Sequence, residues 1–83
     1  MYQLYVLKSK ITKKSYVGIT DNLERRLNEH NSGKHLYTKR YLPWEIVYTE
    51  ECRSIADAII KEKHYKSTTG RRALKKIFAG LSK

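Results

Sequence analysis

The stretch that decides the fold is YVLKSKITKKSYVG, residues 5–18, in which two apolar and aromatic segments flank a lysine-rich link. The first segment belongs to residues 2–7 and the second to residues 15–20, and both have the length and composition of β-strands. The link between them is expected to close a hairpin. Because side chains alternate between the faces of a strand, this hairpin would bring Tyr5 and Tyr16 close together.

The chain after the hairpin is expected to form a helix, a loop and a third strand. Asp21 and Glu24 have the spacing of a capping box, and the helix that they open is expected to end before Gly33. Residues 34–43 show no clean period and are interpreted as a loop with room for one helical turn. Residues 44–49 are rich in β-branched and aromatic side chains, which favours a strand.

Two more helices are predicted in the second half of the chain. Ser54 and Asp57 repeat the capping-box pattern and predict a helix that runs to about Thr68, before Gly70. The last helix is amphipathic, with apolar residues on one face and cations away from it. The apolar residues are Leu74, Ile77, Phe78 and Leu81, and the cations are Arg72, Lys75 and Lys76. The order β-β-α-β-α-α predicts an α+β fold in which a small three-stranded β-sheet is flanked by helices.

The charge of the chain points to a polyanionic partner. Eighteen Lys and Arg residues against eight Asp and Glu residues give a formal net charge of +10. The last acidic residue is Glu62, and the basic tail after it is expected to face phosphates. Its cations are Lys63, Lys66, Arg71, Arg72, Lys75, Lys76 and Lys83. Nucleic acid is the first partner to consider, and a lysine-rich surface that only aids solubility is the alternative.

Length and composition exclude several classes of protein. The 83 residues are expected to form a single domain, residues 1–83. Cys52 is the only cysteine, which excludes an internal disulfide and a zinc site built on paired cysteines and indicates a reducing compartment. No apolar run approaches the ~20 residues of a membrane span, and no signal peptide is recognisable. We therefore expect a complete, cytoplasmic protein without a membrane partner.

Four motifs in order resemble the signature of the GIY-YIG nuclease family. Residues 3–5 stand for its first half and residues 16–18 for its second, while Arg26 and Glu62 match the arginine and the glutamate of its later helices. Gln3 replaces the glycine of the first half, and the asparagine that larger members carry after the glutamate has no counterpart.

The resemblance extends over essentially the whole chain. Residues 29–33, Thr38 and residues 43–44 are similar to the small stand-alone members of the family that are related to the N-terminal nuclease domain of UvrC.

The resemblance implies a metal-dependent DNA endonuclease and assigns a role to each matched residue. Glu62 would hold one Mg²⁺ or Mn²⁺ ion, Arg26 would stabilise the charged transition state, and either Tyr16 or Tyr5 would take the proton from water. His30, one turn after Arg26, would transfer a proton or contact phosphate, or else cap its helix as an imidazolium. The alternatives are ordinary helix ion pairs, from Arg26 to Glu29 or His30 and from Glu62 to Lys66.

Further residues are expected to contact the nucleic acid. Gly18 leaves space for a close approach of phosphate, and cations together with an aromatic residue in the irregular segment suit phosphate contact and base stacking. The predicted contacts are Gly18, Thr38, Lys39, Arg40, Arg71 and Arg72. The expected substrate is DNA, branched or damaged, in repair or recombination, with an unseen protein partner for targeting. Non-catalytic nucleic-acid binding and a structural role in a ribonucleoprotein are the alternatives.

Overall fold

The computed structural model describes residues 1–81, and it begins with the predicted hairpin. Strand β1 (Tyr2–Ser9) runs antiparallel to β2 (Ser15–Thr20). The backbone N–H of Ser9 donates to the carbonyl of Lys14 at 3.0 Å, which closes the turn. The side chain of Ser9 is buried there and accepts hydrogen bonds from the backbone of the turn, so the link is held without a strong turn dipeptide.

Strand β3 (Trp44–Cys52) completes the sheet on the other side of β1, which gives the strand order β2-β1-β3. It is three residues longer than predicted, because the polar residues at its end pair with the beginning of β1, where Tyr2 lies opposite Cys52. An irregularity between Val6 and Leu7 shifts the register of this pairing. The three antiparallel strands and the element order confirm the predicted α+β fold.

The two faces of β1 pack against different helices. Leu4 and Val6 are fully buried in a core that includes apolar residues of the last two helices. Tyr5 and Leu7 point to the other face and are buried with Trp44 and apolar residues of the first helix. The central strand therefore carries Tyr5 on the side that faces the first helix.

Helix α1 (Leu23–Asn31) begins one residue later than the capping box predicted. Asn22, and not Asp21, is the N-cap, and its side-chain oxygen accepts a hydrogen bond from the backbone of Arg25 at 3.0 Å. Asp21 pairs instead with the guanidinium of Arg25 at 3.1 Å. The predicted end is confirmed, since Gly33 follows the helix with a φ of 82°.

Helices α2 (Ile55–Lys66) and α3 (Thr68–Leu81) meet at Ser67, so the prediction that α2 runs to Thr68 was wrong. Ser54 is the N-cap of α2, as predicted. Gly70 does not end α2 but lies in the first turn of α3, where a Cβ atom would collide with the backbone of His64 and Tyr65. A glycine next to a predicted helix end was thus needed for close packing of two helices.

The remaining elements agree with their sequence patterns. Residues 34–43 contain one turn of 3₁₀ helix, Thr38–Tyr41. In α3, Leu74 is buried, and Ile77 and Phe78 pack against the same core. The predicted contributions of the Leu81 side chain and of Lys83 lie outside the described residues. Within residues 1–81, none of the helices is long and apolar enough to cross a bilayer.

Candidate active site

The two tyrosines of the hairpin lie side by side on the α1 face of the sheet. Tyr5 is opposite Gly18 and Tyr16 is opposite Leu7 in the β1–β2 register, and the two rings are 6.2 Å apart between centroids. The Tyr5 ring covers Gly18, where a Cβ atom would overlap the phenol. The space left by this glycine is therefore filled by protein, and the packing does not support the predicted approach of a phosphate there.

His30, in the last turn of α1, is fully buried between the tyrosine pair and the 3₁₀ helix. Its Nε2 is 3.0 Å from the Tyr5 hydroxyl, and its Nδ1 is 2.9 Å from the hydroxyl of Thr38. Burial lowers the pKa of His30 to about 4, and the nearby His35 and Arg26 contribute to the same shift. The imidazole is neutral at pH 7, so the alternative of an imidazolium cap on the helix was wrong.

Thr38 is buried too, which corrects its assignment as a nucleic-acid contact. Its hydroxyl meets the His30 ring, and its carbonyl accepts a hydrogen bond from the indole N–H of Trp44 at 2.7 Å. Thr38 thus fixes the orientation of an imidazole inside the protein. Lys39 and Arg40, the next two residues, are exposed, and their contact with nucleic acid remains a prediction.

Tyr5 and Tyr16 differ in their environment. Tyr5 is only 2% exposed. Burial and the adjacent Tyr16 raise the pKa of the Tyr5 phenol well above its usual value, although the charge of Arg26 opposes the change. Tyr5 therefore remains a protonated phenol, and its hydroxyl is hydrogen-bonded to Nε2 of His30. Tyr16 is half-buried and lines an open cleft, where a substrate can reach it.

Arg26 is held at the side of this site by Glu29. Its terminal nitrogen is 3.4 Å from a carboxylate oxygen of Glu29, and each side chain is 30% exposed. The predicted alternative of a helix ion pair is thus confirmed for Arg26. Yet within the described residues the Nε of Arg26 is buried without a hydrogen-bond partner, so the guanidinium retains donor capacity. Its charge lowers the pKa of both Tyr5 and His30, which places it beside them.

Glu62 lies on α2, which packs against β2 and β1. Its carboxylate is half-buried and forms an ion pair with Lys66 at 3.3 Å, the alternative that the sequence left open. Its negative charge also raises the pKa of Tyr5. Among residues 1–81, no three His, Cys, Asp or Glu side chains gather into a metal-binding group. A single carboxylate fits a hard divalent cation that keeps most of its water ligands.

A cleft of about 340 Å³ opens beside Tyr16 between β2 and the last two helices. Of the two predicted tail contacts, Arg71 lines this cleft, whereas Arg72 is exposed and does not. Tyr37 and Tyr65, which the sequence did not single out, line the cleft with Tyr16 and complete its aromatic wall. Tyr37 lies one residue before the segment of predicted nucleic-acid contacts that begins at Thr38. This position was the only indication in the sequence that Tyr37 lines the site.

The sequence matches a model of the GIY-YIG catalytic domain over residues 1–77. This chain belongs to the GIY-YIG family. The resemblance inferred from the hairpin motif is thereby confirmed. Of the predicted site residues, Tyr5, Tyr16 and His30 pack together on the α1 face of the sheet, and the charges of Arg26 and Glu62 act on Tyr5.

Relatives of this GIY-YIG chain include several UPF0213 proteins. One from Staphylococcus haemolyticus is 35% identical over 77 residues, which cover 92% of this chain and 93% of that protein. One from Syntrophus aciditrophicus is 38% identical over 65 residues, or 76% of this chain and 74% of that protein. One from Streptococcus agalactiae is 40% identical over 55 residues, or 65% of this chain and 62% of that protein. Similarity to the staphylococcal protein thus extends over nearly the full length of both chains.

Proposed function

We propose that this protein is a metal-dependent DNA endonuclease that hydrolyses phosphodiester bonds. The observation that carries the proposal is the accessible phenol of Tyr16 on the wall of an open cleft, beside Tyr5, whose pKa responds to the charges of both Arg26 and Glu62. Hydrolysis of a phosphodiester needs acceptance of a proton from water and stabilisation of negative charge at phosphorus. GIY-YIG membership supports nuclease chemistry in general. Metal dependence and DNA as substrate are parts of the proposal.

Tyr16 is our choice for the proton acceptor. Tyr5 is buried, its pKa is raised, and its hydroxyl is engaged by His30, so water has little access to it. Tyr16 lies on the wall of the cleft, where a nucleophilic water can approach. Tyr5 and His30 then act as a buried support that holds the Tyr16 ring, whose centroid is 4.8 Å from that of His30.

Arg26 stabilises the charge of the scissile phosphate in this scheme. Its side chain is 30% exposed, and guanidinium N–H groups that do not pair with Glu29 can donate to a phosphate oxygen. Glu29 holds the guanidinium in place before the substrate arrives. A divalent cation bound by Glu62 would supply charge neutralisation and a lowered pKa for bound water. Glu62 would have to exchange its partner Lys66 for that ion.

The test follows strand cleavage of supercoiled plasmid and of flapped DNA in Mg²⁺, Mn²⁺ or EDTA. Glu62→Ala is expected to abolish metal-dependent cleavage and to leave DNA binding nearly intact. Lys66→Met is the matched control, since it breaks the same ion pair and keeps the carboxylate. The Lys66→Met variant should still cleave DNA when the protein concentration is high enough to saturate the DNA. A Glu62→Ala variant that cuts at the wild-type rate would remove the glutamate from the mechanism.

A second candidate is a non-catalytic nucleic-acid-binding module, favoured by the ion pair that already engages Glu62. Both candidates predict binding that weakens steeply with salt, so affinity does not separate them. An absence of cleavage with every metal and substrate, with salt-sensitive binding intact, would favour the module.

The biological setting that we propose is DNA repair or recombination in the cytoplasm, on branched or damaged DNA. This inference rests on the small size of the chain, because 83 residues offer little surface for reading a base sequence beyond the site. DNA structure or a protein partner would then supply the specificity.

A further inference from the structure

We propose that the groove leading from Tyr16 to the tip of the hairpin binds an unpaired DNA strand. This inference rests on the proposed nuclease function and specifies the substrate class as DNA with a single-stranded arm next to the cleavage site. The inner part of the groove is the 340 Å³ cleft beside Tyr16, and the outer part is a cavity of about 600 Å³. The two parts share Ser15, Tyr37, Arg71 and Leu74, so they form one continuous path.

The charge of the groove suits a phosphate backbone. Its six cations come from the hairpin and from the last two helices, and among the described residues no Asp or Glu lines either part. The cations are Lys8, Lys13, Lys14, Lys66, Arg71 and Lys75. Within residues 1–81, Lys66 is the one groove cation that is paired with a carboxylate, that of Glu62. By contrast, the cleft along α1 contains Glu24 and Glu29 beside its cations, and a polyanion gains little there.

The aromatic lining favours an unpaired strand over a duplex. Tyr37 is 48% exposed at the junction of the two parts, with its ring 6.2 Å from that of Tyr16 and 5.5 Å from that of Tyr41. In the outer part, the ammonium of Lys8 lies 5.8 Å from the centroid of the Phe78 ring, so a cation and an aromatic ring are neighbours in the groove. A duplex keeps its base faces stacked inside and presents phosphates to the protein. Unpaired bases can stack on exposed rings while their phosphates meet the lysines.

The position of Tyr16 identifies the end of the groove at which a bound strand would meet the site. The inner part ends at the phenol that we propose as proton acceptor, and the outer part runs past the hairpin turn to Lys75 of α3. A strand that lies in the groove therefore presents a phosphodiester at its inner end to the site. Flapped or forked DNA, whose unpaired arm begins at a junction, matches this path better than continuous duplex.

The test measures binding in EDTA by fluorescence anisotropy, so that it does not depend on cleavage. The probes are a labelled oligothymidylate of about 15 nucleotides and a blunt hairpin duplex. The wild type is expected to bind the single strand more tightly. Tyr37→Ala should weaken single-strand binding by roughly tenfold and duplex binding little. Leu36→Ala is the matched control, because Leu36 is the neighbouring residue, is 79% exposed and lies outside the groove lining.

A second variant tests the cations of the hairpin turn. Lys13→Ala combined with Lys14→Ala should lower the slope of log affinity against log salt for the single strand, by about 0.7 for each phosphate that the variant no longer neutralises. Lys34→Ala, in the mixed cleft along α1, should leave that slope unchanged.

Equal binding of both probes by the wild type, or equal behaviour of Tyr37→Ala and Leu36→Ala, would overturn the inference. Cleavage assays of the same proteins report on the nuclease separately. A protein that cuts duplex but shows no preference for the single strand would disprove the groove and leave the proposed function standing.

Discussion

At the scale of single residues, the neutral His30 links the tyrosine pair to the 3₁₀ helix. Its two ring nitrogens meet the hydroxyls of Tyr5 and Thr38, and none of its surface is exposed. A neutral imidazole must donate from one nitrogen and accept at the other. One of the two hydroxyls therefore donates to the ring and the other accepts from it. This chain of hydrogen bonds orients the buried side of the site.

The pH dependence of stability tests the neutral state of His30. The unfolded chain binds a proton at His30 below its ordinary pKa of 6.5, whereas the folded protein does so only below about 4. Stability should therefore fall as the pH drops from 6.5 to 4, by up to about 1.4 kcal/mol per pH unit for this one proton. Urea unfolding of His30→Gln across this range should show a shallower dependence. His64→Gln, at an exposed histidine, should keep the wild-type slope; identical slopes in both variants would contradict the assignment.

Removal of the hydroxyl is predicted to affect stability at Tyr5 and cleavage at Tyr16. Tyr5→Phe leaves a buried nitrogen of His30 without a partner, and it should lower the free energy of unfolding by about 1–3 kcal/mol while some cleavage persists. Tyr16→Phe should change stability little and abolish cleavage. Urea unfolding and plasmid nicking on the same preparations check both. Loss of cleavage in Tyr5→Phe alone, in folded protein, would move the proton acceptor to Tyr5.

At the scale of elements, the junction of α2 and α3 depends on Gly70. A methyl group there would meet the backbone of His64 and Tyr65, which cannot move without shifting α2. Gly70→Ala should therefore destabilise the protein by more than about 2 kcal/mol and disturb the groove that both helices line. Gly80→Ala is the control, because no other part of the described structure outside its own helical turns lies within 4 Å of its added Cβ, and alanine favours the helix by about 0.5–1 kcal/mol. Thermal unfolding distinguishes the two, and equal effects would contradict this packing.

The number and type of helices and strands could be predicted from the sequence, whereas the residues at which they begin and end were less predictable. Strands β1 and β2 follow from alternation and composition alone, and the ends of α1 and α2 carry clear capping residues. The errors arose where two local signals compete. Asp21 and Asn22 are both good N-caps, and only the path of the chain out of β2 selects Asn22. Gly70 resembles a helix stop because a sequence does not show which backbone will pass close to it.

At the scale of the whole molecule, the net charge of +10 opposes folding by self-repulsion. Screening by salt should relieve part of this repulsion. We therefore expect the urea midpoint of unfolding to rise with added NaCl, since urea carries no charge of its own. A partly charge-neutralised variant with two exposed lysines of α3 changed to glutamine, Lys75→Gln with Lys76→Gln, should show a weaker rise. A midpoint that falls with salt would indicate that the ion pairs of the helices outweigh the repulsion.

The sequence by itself determined the order of the elements and the α+β architecture, which follow from periodicity and capping patterns, and these are local properties of the chain. The resemblance to the GIY-YIG family supplied the candidate site residues Tyr5, Tyr16, Arg26, His30 and Glu62, whose roles remain predictions. Only the tertiary structure decided which side chains are buried and which meet substrate. It placed Thr38 inside, filled the space over Gly18 with a phenol and brought the distant α3 beside β2 to form the groove. Burial and long-range contact depend on how separate elements pack, and no local pattern encodes the neighbour that each residue will meet.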